Sequence, residues 1–115
     1  MNTNMPILIL AAGAATRMRG TDKLMLEVSG APLIRHQVDK AAQVFEDIIV
    51  TLPAAPHARY AALEGTRAQI VPVADAALGL SASLRAGINA LPDRAQHVMV
   101  LLADLPDITA QDLAT

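Results

Sequence analysis

Pro6-Ile7-Leu8-Ile9-Leu10-Ala11-Ala12-Gly13 is the stretch on which the fold turns. From Pro6 to Ala11 every position is apolar, and a glycine follows closely. A strand with one wet face alternates polar and apolar residues. A strand buried on both faces does not, and that is the usual state in a parallel sheet covered by helices. Asp47-Ile-Ile-Val-Thr-Leu52, stopped by Pro53, reads the same way. Ala68 to Val73 is a third strand, in which Pro72 points to an edge position, where a missing N–H costs little. His97 to Ala103 is the fourth and most apolar, so cover is expected on both of its faces.

Helical patterns lie between these runs. One starts at Pro32, a residue favoured at the first helical position, and carries Leu33, Ile34, Val38, Ala41, Ala42 and Phe45 on one face. A weaker, alanine-rich one runs from Pro56 to Leu63. Ser81 reads as the N-cap of a third, with Leu84, Ile88 and Leu91 on one face. Thr109 and Asp112 are spaced like a capping pair for another. Strand and helix alternate throughout, which predicts an α/β sandwich with a mostly parallel sheet.

Composition narrows the function. The chain has 115 residues, enough for a single domain. Aromatic residues are 2%, too few for a base-stacking platform, and the net charge of −2 gives no basic footprint for nucleic acid. With no cysteine, disulfide scaffolds, thiolate metal sites and thiol nucleophiles are excluded. The apolar runs Ile7 to Ala12 and Val98 to Ala103 are far too short to span a bilayer. The first residues lack a basic export signal, so a cytoplasmic location is expected.

Three segments fall at the carboxyl ends of predicted strands, where open α/β sheets bind ligands. Small residues from Ala11 to Ala15 let the backbone approach a ligand, and Arg17, Arg19 and Lys23 follow with only Asp22 against them. That local positive patch suits a phosphate chain; read alone, it is equally a solvated basic loop. No Gly-Lys-Ser/Thr makes it a P-loop, and no Gly-x-Gly-x-x-Gly makes it a dinucleotide site. Gly79-Leu-Ser-Ala-Ser-Leu-Arg-Ala-Gly87 offers Ser81 and Ser83 at a helix start; read alone, it is a cap followed by a packing glycine. Leu102-Ala-Asp-Leu-Pro106 lifts Asp104 to the end of the fourth strand. One carboxylate beside phosphates suits Mg²⁺; read alone, it is a turn-forming Asp before Pro.

Leu10-Ala-Ala-Gly13 with Arg17-Met18, Gly20 and Lys23, then Gly79-x-Ser-x-Ser-Leu84, then Leu102-Ala-Asp-x-Pro106, together resemble the motifs of the MobA-like NTP transferases. These belong to the nucleotide-diphospho-sugar transferase (GT-A-like) superfamily. The resemblance implies a Rossmann-like three-layer αβα sandwich. It also implies a Mg²⁺-dependent nucleotidyltransferase that moves a nucleoside monophosphate to a phosphorylated acceptor and releases pyrophosphate. Leu-Ala-Ala-Gly and the Gly-x-Ser-x-Ser-Leu element are similar to the molybdopterin cytidylyltransferases, which favours CTP over GTP and molybdopterin as acceptor. Molybdopterin guanylyltransferases typically read Leu-Ala-Gly-Gly. Methylerythritol phosphate cytidylyltransferases and sugar-1-phosphate nucleotidyltransferases are the enzyme alternatives, but they usually place Pro where this chain has Asp22. A non-catalytic nucleotide-binding or assembly domain is the alternative of another class.

Carried over by the resemblance, Leu10, Ala11, Ala12 and Gly13 contact the nucleotide with Ser81 and Ser83, Arg17 and Lys23 are the catalytic cations, and Asp104 holds the metal. Arg19 is an extra residue relative to the shorter form of the loop. The family's complete domain is longer, and its remainder carries the acceptor site and a further acidic metal ligand. The 115 residues are therefore expected to be the N-terminal portion of such a domain, C-terminally truncated, inactive in transfer alone and open to self-association through an exposed sheet edge.

Overall fold

In the computed structural model, residues 5–12, 17–18, 21–54, 58–74, 80–92, 95 and 97–103 are described. The side chains of residues 17, 18, 21–23 and 80 lie outside the description. Strand β1 (Ile7–Leu10) is the centre of the sheet, and all four of its side chains are buried. Two short ribbons follow. β2 (Arg17–Met18) pairs antiparallel with β3 (Thr21–Asp22), and β4 (Glu27–Val28) pairs with β5 (Ala31–Pro32) after a 3-10 turn at Lys23–Met25. The β4–β5 turn, Ser29-Gly30, has φ of 54° and 89°. Positive φ at both central positions is the type I′ pattern, one of the two whose twist matches the flanking strands, and glycine supplies the second position without strain.

Helix α1 (Leu33–Ala42) then leads to β6 (Ile48–Pro53), α2 (Ala58–Ala62), β7 (Gln69–Val73), α3 (Leu80–Asn89) and β8 (Met99–Leu102). The four long strands form one sheet in the order β7-β6-β1-β8, every neighbouring pair parallel. The expected α/β architecture is present, and β7, with Pro72, is at an edge as its proline requires.

Strand side chains alternate between faces, and the core divides accordingly. Ile7, Ile9 and Ala11 join Ile34, Val38, Leu52 and Leu63 in one cluster with α1 and α2. Leu8, Leu10 and Ile49 join Leu84 and Leu91 on the α3 side. These are the two hydrophobic interfaces of a three-layer sandwich.

Three expectations are corrected. Pro32 does not open α1: it pairs with Glu27 in β5, with φ −61° and ψ 148°, and the helix begins at Leu33. Ser81 is not an N-cap, because α3 begins a residue earlier at Leu80. β8 is covered on one face only. Leu101 and Ala103 are buried, whereas Val100 and Leu102 are 43% and 39% exposed, because α3 lies over β1, β6 and β7.

Gly87 explains how closely α3 sits. A Cβ built there meets Leu8 Cδ2 at 2.7 Å and Cγ at 3.0 Å, with Cδ1 closer still. Leu8 is fully buried, so its methyls cannot retreat without displacing the layer beneath. Gly87→Ala gains about 1 kcal/mol of helix propensity, but overpacking typically costs about 1–3 kcal/mol. The expected result is a net loss of about 1 kcal/mol in urea unfolding, with Gly87→Val losing more; a stabilised Gly87→Ala would contradict the packing described.

Candidate active site

The strand order places the candidate site. From β1 the chain steps outward to β6 and β7, then returns to the other side of β1 for β8. In open α/β sheets such a reversal is where a ligand crevice is expected, here at the carboxyl ends of β1 and β8. Leu10 and Leu102 are register partners there. Beyond them come Ala11 and Ala12 on one side and Ala103 on the other, all buried.

At a strand end the sheet runs out of partners, yet buried N–H and C=O groups must still be satisfied. The N–H of Ala11 donates to Thr51 O at 3.0 Å and lies 3.3 Å from Thr51 Oγ1. The Ala11 carbonyl accepts from Arg59 Nη1 at 2.6 Å. At the end of β8 the N–H of Ala103 donates to Leu10 O at 3.1 Å, and its carbonyl accepts from Gln37 Nε2 at 3.2 Å. Each alanine is thus held on both sides, once by a neighbouring strand and once by a side chain from the helical layer.

The groups that do this are themselves buried. Thr51, Gln37, Arg59 and Ser83 are the buried polar side chains among the described residues. Ser83 Oγ sits 2.6 Å from Thr51 Oγ1 and ties α3 to β6 directly beneath Ala11. Tyr60 Oη donates to Pro53 O at 2.7 Å, pinning α2 to the end of β6 and so fixing where Arg59 starts.

Of the residues singled out by sequence, Leu10, Ala11 and Ala12 stand at the crevice. Ser83 faces inward to Thr51, and Ser81 is exposed on α3. Arg17 and Lys23 flank the β2–β3 ribbon: Arg17 pairs with Asp22 in register, and Lys23 opens the 3-10 turn whose Leu24 is buried in the core. Gly13, Arg19, Gly20 and Asp104 lie outside the described residues, as do the side chains of Arg17 and Lys23. Asp104 directly follows Ala103, whose carbonyl Gln37 holds.

Sequence reasoning missed Thr51, Arg59 and Gln37. A lone hydroxyl in Ile48-Ile-Val-Thr-Leu52 was a usable signal for Thr51. Gln37 sits at helical spacing beside Ile34, Val38 and Ala41, so its place on the buried face could have been read. Arg59, in an alanine-rich helix, carried no signal.

No helix among the described residues is long and apolar enough to cross a membrane. Nor do the described residues hold three or more His, Asp or Glu side chains grouped as a metal site.

Comparison with known proteins agrees with the fold. The model of the MobA-like NTP transferase domain matches residues 7–115, and the chain belongs to that family. It is 35% identical over 111 residues to the molybdenum cofactor guanylyltransferase of Pseudomonas fluorescens, covering 94% of this chain and 52% of that protein. It is 32% identical over 116 residues to the bifunctional protein GlmU of Mycobacterium tuberculosis, covering 94% of this chain and 23% of that protein. The crystal structure of Rv0371c from Mycobacterium tuberculosis superposes with a TM-score of 0.82 at 30% identity, over 97% of this chain and 57% of that one. Rv0371c has also been solved in complex with manganese, a structure with a TM-score of 0.79 at 27% identity that covers 56% of its chain and 97% of this one. The chain therefore spans about half the length of the guanylyltransferase and of Rv0371c.

The Ser83–Thr51 pair gives a direct check on this architecture. Removing one partner of a buried hydrogen bond costs about 1–3 kcal/mol. Ser83→Ala and Thr51→Val are each expected to fall in that range in urea unfolding. The double variant is expected to lose less than the sum, because the two hydroxyls share one bond. Strict additivity would show that the two do not act as a pair.

Proposed function

We propose that these 115 residues carry the nucleotide half of a nucleotidyltransferase site, at the crevice between β1 and β8. The observation that carries this reading is the pair Ala11 and Ala103, both fixed at the point where the strand order reverses. In the reaction, an oxygen of a phosphorylated acceptor attacks the α-phosphorus of a nucleoside triphosphate. A new P–O bond forms as the bond to the β-phosphate breaks, and pyrophosphate leaves with the electron pair. Such chemistry asks the protein for position and charge rather than for a nucleophile.

Ala11, Ala12 and Gly13 contact base and ribose through the backbone, with Ser81 on the open side of α3. Ser83 acts beneath them, through Thr51. Arg17 and Lys23 neutralise charge that grows on the leaving pyrophosphate, so they act more on turnover than on ground-state binding. Asp104, the residue after Ala103 in the sequence, would hold Mg²⁺, an ion that takes one or two carboxylates with phosphate oxygens and water for the remaining positions. When bound, the metal screens phosphate charge and fixes the triphosphate. The acceptor half of the site, with a further acidic ligand, belongs to the part of the family's domain beyond these residues.

CTP and molybdopterin are the substrates we assign, on the Leu10-Ala-Ala-Gly13 form of the loop. GTP is the competing nucleotide, because a guanylyltransferase is among the relatives. Titration of the protein with CTP and with GTP, each with and without Mg²⁺, tests the reading. Metal-dependent binding with CTP ahead of GTP is expected, and Asp104→Ala should abolish the Mg²⁺ dependence while leaving the unfolding transition in place. Pyrophosphate release with molybdopterin as acceptor tests transfer in the protein carrying the complete domain. Binding of neither nucleotide, or an unchanged Mg²⁺ dependence in Asp104→Ala, contradicts the assignment.

A further inference from the structure

Arg59 is the second residue of α2 and is 2% exposed. Burying a guanidinium is costly unless its donors are engaged, so a buried arginine at a rim calls for a reason. Its Nη1 lies 2.6 Å from the Ala11 carbonyl. That carbonyl shares a rigid peptide plane with the N–H of Ala12, and in a trans peptide the two point in opposite directions. The preceding plane, which carries the Ala11 N–H, is fixed by Thr51. Both planes that meet at the Ala11 Cα are therefore held, and the direction of the chain as it leaves β1 is set.

Position is half of the effect. A hydrogen bond from a cation is stronger than one from a neutral donor. It draws electron density toward the accepting oxygen, and a polarised peptide is a better donor at its other end. The charge on Arg59 is thereby passed through one peptide to the N–H of Ala12.

We propose that Arg59 is a positioning residue for the nucleotide: it holds and polarises the Ala11–Ala12 peptide so that the Ala12 N–H donates more strongly to the bound nucleoside triphosphate. This rests on the nucleotide reading above. It adds a cation buried behind the Ala11–Ala12 peptide.

The test compares the wild-type protein with Arg59→Lys and Arg59→Met, titrated with CTP and GTP in Mg²⁺ well below each variant's melting temperature. Loss of the charged donor is expected to weaken nucleotide binding by about tenfold in Arg59→Met, the scale of one charge-assisted hydrogen bond. Arg59→Lys, which keeps the charge, should recover part of that loss. An arginine that only stabilises the fold would lower the melting temperature and leave the affinity of the folded protein alone. Folded variants that bind nucleotide within twofold of wild type therefore overturn the inference and spare the nucleotide reading. Wild-type protein that binds neither nucleotide removes both. Should neither variant fold, the wild-type resonances decide: on adding nucleotide the Ala12 amide and the Arg59 guanidinium protons move downfield together if the inference holds, because the two hydrogen bonds share one peptide; an Ala12 shift with the Arg59 protons unmoved overturns it and spares the nucleotide reading.

Discussion

Backbone groups at the end of a buried strand must find partners that the sheet no longer provides, and the site is built on how this chain meets that demand. At Ala11 the partners are Thr51 and Arg59; at Ala103 they are Leu10 and Gln37. An unsatisfied buried N–H or C=O costs about 1–3 kcal/mol, a large share of the stability of a domain this small. The same bonds that meet that cost also fix the peptide planes through which β1 and β8 leave the sheet. Stability and the geometry of the candidate site thus rest on one set of contacts, and a change in either side-chain partner, Arg59 or Gln37, is felt in both.

The layers behind the rim explain why those contacts hold. Gly87 lets α3 lie directly on Leu8, close enough for Ser83 to reach Thr51. On the other face, Arg35 donates to Glu64 O at 2.8 Å and joins α1 to the segment after α2. Arg67 donates to Ala42 O at 2.9 Å and bonds to Phe45 O, closing the end of α1 at the opposite rim, where its free carbonyls and dipole favour a cation. Gln37 and Arg59 thus reach the sheet from helices that are tied down. The amino-terminal rim has a cleft between Glu46, Asp47, Arg67 and Gln69, but its arginine is engaged with α1.

Much of the fold was legible in the residues. The apolar runs Ile7–Leu10 and Ile48–Leu52, the second broken only by Thr51, read as buried parallel strands because helices on both faces leave few positions for a polar side chain. Pro72 marked an edge, and Gly87 marked a close approach. Helix starts were less legible. Pro32 satisfies a hairpin as readily as a helix, since its fixed φ suits both, and pairing with Glu27 decided between them. Cover on β8 was overestimated because apolarity does not say which neighbour supplies it. At the site, Leu10, Ala11 and Ala12 were legible as small or apolar residues ending a strand. Arg59 and Gln37 were not, because their role depends on which carbonyls fall beneath them once α1 and α2 have docked. That is a property of the packed layers, not of local spacing.

In the proposed site, nucleotide binds where β1 and β8 end, on a backbone held from behind. A crystal structure of the protein with CTP or GTP and Mn²⁺ tests it most directly, because the anomalous signal locates the metal independently of the nucleotide. A Mn²⁺ peak at Asp104 and the nucleotide against Ala11 and Ala12 are expected, with the Arg59–Ala11 and Ser83–Thr51 bonds intact. A nucleotide bound at the amino-terminal rim, beside Asp47 and Arg67, would contradict it.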